Sequence, residues 1–223
     1  MKRFFTTGLF LVGLFNFSGT VRAQSMYDLF LQLPAYCTPG LNNSGRKSLI
    51  KDTEYTVTAS KEEDEIDYTI DTVTKNYIAY EFSNSKGRGT NENYELKRFK
   101  FSNGKSFVLF SKTGDPRVHS NKYILRAYDI SGNSLIENFQ SFIPEDLDYA
   151  VFLKFGTPDS IRTYLEKTSY YTFDLDARSD DKVIYRIIVK SEKDEKWLNG
   201  NTMVFNWTGT MFTNTLLFRK DDQ

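Results

Sequence analysis

The sequence predicts an α+β fold of two tandem lobes, each a short helical segment packed on an antiparallel sheet. Three observations lead there. Runs rich in aromatic and β-branched residues recur at strand length, and clusters of Gly, Asn, Asp and Pro separate them. A helix-like segment precedes each group of such runs. The chain also carries 19 Phe, 14 Tyr and 2 Trp, large apolar side chains that can cover sheets of that extent. Helix-then-strands occurs twice without evident residue identity, an architectural echo with its boundary near residue 140. One lobe is expected over 24–140 and the other over 141–223.

Residues 1–23 read as a secretory signal peptide. Lys2 and Arg3 precede an apolar run from Gly8 to Phe17, and Val21 and Ala23 occupy the two positions a signal peptidase reads. The run is shorter than the ~20 apolar residues of a spanning helix. Cleavage after Ala23 starts the mature chain at Gln24, and no later segment is apolar enough to span a bilayer. A periplasmic or secreted protein is expected, with no membrane insertion of the mature chain. Lys2, Arg3 and Arg22 leave with the leader, so 29 basic against 29 acidic residues becomes an acidic excess of three. Mixed charge of this kind offers no basic stripe for phosphates, so nucleic acid is not an expected partner. The short basic piece KRFK at 97–100 reads as a solvated edge. Cys37 is the single cysteine and cannot pair within its chain, so the fold must rest on its core. A mature chain of this length buries roughly 70% of its unfolded surface.

The elements follow in order. SMYDLFLQLP (25–34) predicts a short helix, capped by Ser25, stopped by Pro34, with Tyr27, Phe30, Leu31 and Leu33 on its apolar face. The next stretch, AYCTPGLNNSGRKSL, is rich in turn formers and predicts irregular chain. TEYTVTAS (53–60) and IDYTIDTV (66–73) alternate like strands around the acidic turn KEEDE. NYIAYEFS (76–83), NYELKRFKF (93–101), KSFVLFSK (105–112) and NKYILRAYD (121–129) then predict an antiparallel meander. Within the second of these, Tyr94 and Leu96 share one parity and Phe99 and Phe101 the other, which predicts a β-bulge near Lys97–Arg98. Helical segments are expected over 144–155, 157–167 and 191–200, and strands over 170–177, 182–191, 201–208 and 210–219. In the final hairpin Met203, Phe205 and Trp207 are expected to face the core, while Thr202, Asn206 and Thr208 meet water.

MYDLFLQLP near the start, VFNWTGTMF near the end, and the strand set between them resemble a family of uncharacterised secreted bacterial proteins. The resemblance implies a fold similar to the β-lactamase inhibitor protein, with tandem helix-plus-sheet lobes. Relatives carry cysteines near the turn where this chain has TGDPRVHS, and that departure removes the ground for a shared redox or metal role. No activity carries over, because a fold resembling an inhibitor does not confer inhibition.

The residues themselves offer little chemistry. His119 is the only histidine, and no G-x-S-x-G nucleophile appears, so a loop histidine facing solvent is the simpler reading. One His and one Cys cannot furnish a zinc site without carboxylates, and Cys37 reads as a small buried hydrophobe. DLDARSDD brings Asp174, Asp176, Asp180 and Asp181 together, with Asp174 and Asp176 on one strand face. The run lacks the central Gly and terminal Glu of a calcium loop and reads as a hydrated turn. Arg88 between two glycines could form an anion nest, but a flexible hairpin tip is the default. Acidic pairs such as Glu62–Glu63 and Glu145–Asp146 would serve a glycosidase only across a cleft. The expected function is therefore non-catalytic and needs no cofactor: an exported recognition protein that binds a macromolecular partner through sheet faces or the inter-lobe groove. Tyr77, Tyr94 and Tyr123, as exposed aromatics, and Arg88 are its candidate contacts. Binding of a glycan or peptidoglycan fragment is the alternative, and a carboxylate-based hydrolase the weaker one.

Overall fold

The computed structural model describes residues 24–58, 65–84, 91–114, 124–138, 143 and 149–219. The expected signal peptide, the boundary near 140, and Glu62, Glu63, Arg88, His119, Tyr123, Glu145 and Asp146 lie outside these residues.

Two short helices come first. In α1 (Met26–Leu31), Ser25 and Asp28 form a reciprocal capping box, each side chain accepting from the other's backbone N–H. Met26, Leu29 and Phe30 form its buried face, and Tyr27 lies outside it. The stretch expected to be irregular holds α2 (Asn43–Asp52). Its Asn42 side chain accepts from Gly45 N–H at 2.9 Å, so a residue typical of turns acts here as an N-cap. The helix closes at Thr53, whose φ of 64° is left-handed.

Seven strands follow: β1 (Glu54–Thr58), β2 (Glu65–Val73), β3 (Tyr77–Asn84), β4 (Asn91–Lys100), β5 (Ser106–Thr113), β6 (Ile124–Ser131) and β7 (Ser134–Asn138). They form one antiparallel sheet in chain order. Strand β7 extends the expected meander at one side, and β1 and β2 extend it at the other. After a 3-10 turn at Tyr149–Phe152 come α3 (Asp159–Thr168), β8 (Tyr170–Asp174) and β9 (Lys182–Ile188). A further 3-10 turn (Glu192–Trp197) leads to β10 (Thr202–Trp207) and β11 (Phe212–Leu217), and the four strands form an antiparallel sheet in the order β11-β10-β9-β8. The fold is thus α+β and dominated by antiparallel sheet.

The large sheet is covered on both faces. On one, Tyr68, Tyr80, Tyr94, Leu96, Phe110 and Tyr128 meet Leu29, Phe30, Cys37 and Leu49 from the helical segment. On the other, Phe99, Phe107, Leu109 and Leu125 meet Phe173, Tyr185, Phe205 and Trp207 of the small sheet, with Phe152 and Leu165 in the same cluster. This double cover corrects the expected bulge. The register of β4 against β5 runs unbroken past Lys97 and Arg98, Lys97 facing Leu109 and Arg98 facing Val108, and its register against β3 is unbroken up to Lys97. Both parities of β4 are apolar because each feeds a different core. The irregularity of the sheet lies instead in β2, between Ile70 and Thr72.

Tyrosines tie the helical face together. Tyr80 and Tyr94 stack with centroids 4.9 Å apart and planes 5° from parallel. The Tyr80 hydroxyl donates to Cys37 O at 2.6 Å and the Tyr68 hydroxyl to Pro39 O at 2.5 Å. Buried Arg46 of α2 donates to Leu31 O, Leu33 O and Pro34 O. Carbonyls at and just past the end of α1 thereby gain donors, Pro34 O in addition to the Cys37 N–H.

The final hairpin turns its aromatic side inward. Trp207 packs among Phe99, Phe101, Phe107 and Phe212, and its Nε1–H donates to Lys100 O at 2.7 Å. Thr202, expected in water, is buried, while Thr208 is exposed.

Two outcomes follow. Replacing Trp207 by Ala leaves a void against four rings and should cost about 3–5 kcal/mol, read by chemical denaturation. Burial pushes the hydroxyls of Tyr68, Tyr77, Tyr80, Tyr94 and Tyr128 above their ordinary value. Their stabilising protons are fully held below pH 10, so stability should fall steadily as pH rises beyond it, in a thermal-melt series.

Candidate functional site

The titratable groups with the largest functional interest lie where β4 meets the connection from β8 to β9. Glu95, Lys97 and Phe99 alternate along β4 and face the small sheet. Lys97 is 1% exposed, not the solvated edge expected of KRFK. Its ammonium donates to Leu175 O at 2.5 Å, Lys182 O at 2.7 Å and Asp176 O at 3.0 Å. One charge therefore holds both ends of the connecting loop. Burial lowers its affinity for the proton to about 8, against the pull of Asp176, Asp180, Asp181 and Asp174.

Glu95 completes the clamp. Its Oε1 accepts from the Tyr77 hydroxyl at 2.5 Å and its Oε2 from Leu175 N–H at 3.0 Å. Burial raises its titration to about 7; the Tyr77 bond, the Leu175 bond and Lys97 oppose the rise, and Asp174 adds to it. A carboxyl of raised proton affinity beside a second acid is a feature of general-acid catalysis. Here, however, both oxygens are engaged by the protein, and the arrangement works as a fastener between sheets.

The loop satisfies its own carboxylates. Asp174 Oδ1 accepts from Asp176 N–H at 2.6 Å, and Asp176 Oδ1 from Arg178 N–H at 3.2 Å. Asp181 accepts from Ser179 Oγ at 2.6 Å, and Asp180 from the Asn76 amide at 3.1 Å. Asp176 sits beyond β8 with φ of 47°, so it does not share a strand face with Asp174 as expected. Among the described residues, no three His, Cys, Asp or Glu side chains are placed to hold a metal ion.

A cavity of about 850 Å³ opens beside the clamp, lined in part by Tyr77, Asp174, Arg178, Lys182, Arg186 and Arg219. Arg178, Lys182 and Arg219 form no ion pair among the described residues. A second groove, about 370 Å³, lies where β8 leaves the large sheet uncovered and includes Asp71, Glu81, Glu95 and Asn93. Burial, and then Glu81, raise the Asp71 carboxyl above its ordinary value.

The expected exposed aromatics need correction. Tyr94 is fully buried and Tyr77 is 5% exposed, because the stack with Tyr80 and the bond to Glu95 draw them in. Neither offers a ring to solvent. Sequence reading missed Glu95 and Lys97, although their shared parity with Phe99 is the signal that places them inward. Cys37 is buried and its thiol is pushed up to about 12, which leaves it unreactive at neutral pH.

Against known proteins, no family model matches this chain, and no curated protein matches it. Among solved structures, it is similar to a domain of an uncharacterized protein from Porphyromonas gingivalis W83, at 14% identity and a TM-score of 0.58. The match covers 85% of this chain and 97% of that one. At that identity the likeness speaks for the fold alone.

Removing the clamp charge by Lys97→Met takes the ammonium from three carbonyls, of which Asp176 O keeps the Ser179 N–H, and should cost about 3 kcal/mol. The pH dependence has a worked sign. Glu95 binds its proton more tightly folded than unfolded, so its stabilisation is whole below 4.5 and lost as pH rises through about 7. Glu95→Gln should flatten that slope, on the order of 2 kcal/mol, in denaturation curves at pH 5 and pH 8.

Proposed function

We propose that this chain is an exported, non-catalytic recognition protein that docks a macromolecular partner in the charged cavity beside the junction of its two sheets. The observation that carries the reading is a contrast in how charge is used. The groups of shifted titration, Glu95 and Lys97, are bonded to Tyr77 and to loop backbone. The neighbouring cations Arg178, Lys182 and Arg219 line open space instead. Charge on a concave surface that forms no ion pair among the described residues favours recognition of a partner of opposite sign. Export rests on the leader-like residues 1–23, and the two tandem lobes and inhibitor-like fold remain part of the same reading. The clamp joins these lobes and presents the cavity where they meet.

The decisive comparison is affinity capture from the native periplasm with the wild type and with an Arg178→Ala, Lys182→Ala double variant, captured molecules being identified by mass spectrometry. A component held by the wild type and reduced at least ~10-fold by the variant, with release at raised salt, is expected. Identical captured sets from both proteins would sink the reading.

A further inference from the structure

Strand β11 closes one side of the small sheet and has no strand beyond it among the described residues. It differs from the other three sheet margins in charge. The strands β1, β7 and β8 carry Glu54, Glu137 and Asp174 respectively, whereas FTNTLL of β11 carries no charge and no proline. Charges and prolines are the usual devices that stop an edge from pairing, and β11 lacks both. Thr213, Asn214 and Thr215 are exposed, and the flanking Met211 and Phe218 are 60% and 52% exposed.

The backbone of this edge is already aligned for pairing. Thr208 N–H donates to Met211 O at 3.0 Å, which fixes the parity of the β10–β11 ladder. Residues 211, 213, 215 and 217 direct their hydrogen-bonding groups to β10, so those of Phe212, Asn214 and Leu216 point to the open side. Asn201 continues the pattern past the strand: its amide donates to Arg219 O at 2.7 Å, and its Oδ1 accepts from Arg219 N–H at 2.8 Å. Phe218 is thereby held extended with its own backbone groups outward.

We propose that β11 pairs antiparallel with β11 of a second copy, about a two-fold axis through Thr215, joining two four-stranded sheets into one. A two-fold on this edge must bring outward residues opposite outward residues, which leaves axes through Asn214 or Thr215. The axis through Thr215 sets Phe218 against the second copy's Phe212 and Asn214 against its Leu216. The exposed Phe218 ring is then covered against an aromatic already packed on Phe99 and Trp207. The axis through Asn214 instead sets Phe218 against Thr210 and leaves the ring in water. Because β11 is uncharged, pairing identical strands brings no like charges face to face. The pairing adds about eight backbone hydrogen bonds.

A cysteine cross-link tests the pairing and its register together. Thr215 would face its own copy in a non-hydrogen-bonded pair, where Cα atoms lie ~4.5 Å apart, within disulfide reach. Thr215→Cys should oxidise to a covalent dimer, while Asn214→Cys should not. Cys37 is buried and does not compete. Sedimentation equilibrium of the wild type should show a dimer, and Thr215→Lys, which sets two ammonium groups opposite each other, should weaken it at least ~10-fold without changing the melting curve. A wild type that is monomeric at every concentration overturns the proposal. So does a dimer indifferent to Thr215→Lys, or one that Asn214→Cys cross-links in place of Thr215→Cys.

Discussion

One strand, β4, feeds two cores, and the rest of the molecule is arranged around that fact. Tyr94 and Leu96 close the helical side, while Lys97 and Phe99, one position out of phase, close the side of the small sheet. An antiparallel sheet with water on one face needs only one apolar parity. This one is covered twice, so its central strands read as nearly continuous apolar or inward-facing residues. The small sheet in turn gains a partner larger than its own helical cover, since Phe152 and Leu165 join the same cluster as Phe107 and Phe205. With a single, free cysteine the chain has no internal disulfide, and stability comes from this shared interior of stacked and edge-on rings.

Polar groups inside such an interior must be bonded, and here they do structural work. Tyrosine hydroxyls reach out of the large sheet to hold the loop after α1, and Arg46 meets the carbonyls at that helix's end. Lys97 plays the matching part on the opposite face. Each places its donors on backbone carbonyls between regular elements or at their ends. Glu95 and Lys97 are thus fasteners, and the cations Arg178, Lys182 and Arg219 lining the neighbouring cavity lie on the adjoining loop, at the start of β9 and past the end of β11.

Much of the fold was legible in the sequence because strand alternation and turn chemistry are local. The meander, the strands of the small sheet, α3 and the inward hairpin of Phe205 and Trp207 all rest on that signal. What was not legible depends on a second layer. The parity change at Phe99 looked like a bulge because one covered face was assumed. Helix α2 was hidden by Asn42, Asn43, Ser44 and Gly45, which are turn formers in isolation and become a cap and a close packing position against Tyr55 in the fold. Tyr77 and Tyr94 read as exposed aromatics from alternation alone, but their hydroxyls have partly buried carboxylate partners. The site fared likewise: the Asp cluster at 174–181 was visible, but Glu95 and Lys97, far away in sequence, were not.

If both sheets depend on one interior, they must open together. Native-state hydrogen exchange measured against denaturant tests this directly, comparing amides of Phe107–Phe110 in β5 with those of Val183–Ile187 in β9 and Val204–Phe205 in β10. The account predicts one opening free energy and one denaturant slope for all three groups. A small sheet that opens at lower cost while β4 and β5 stay protected would contradict it.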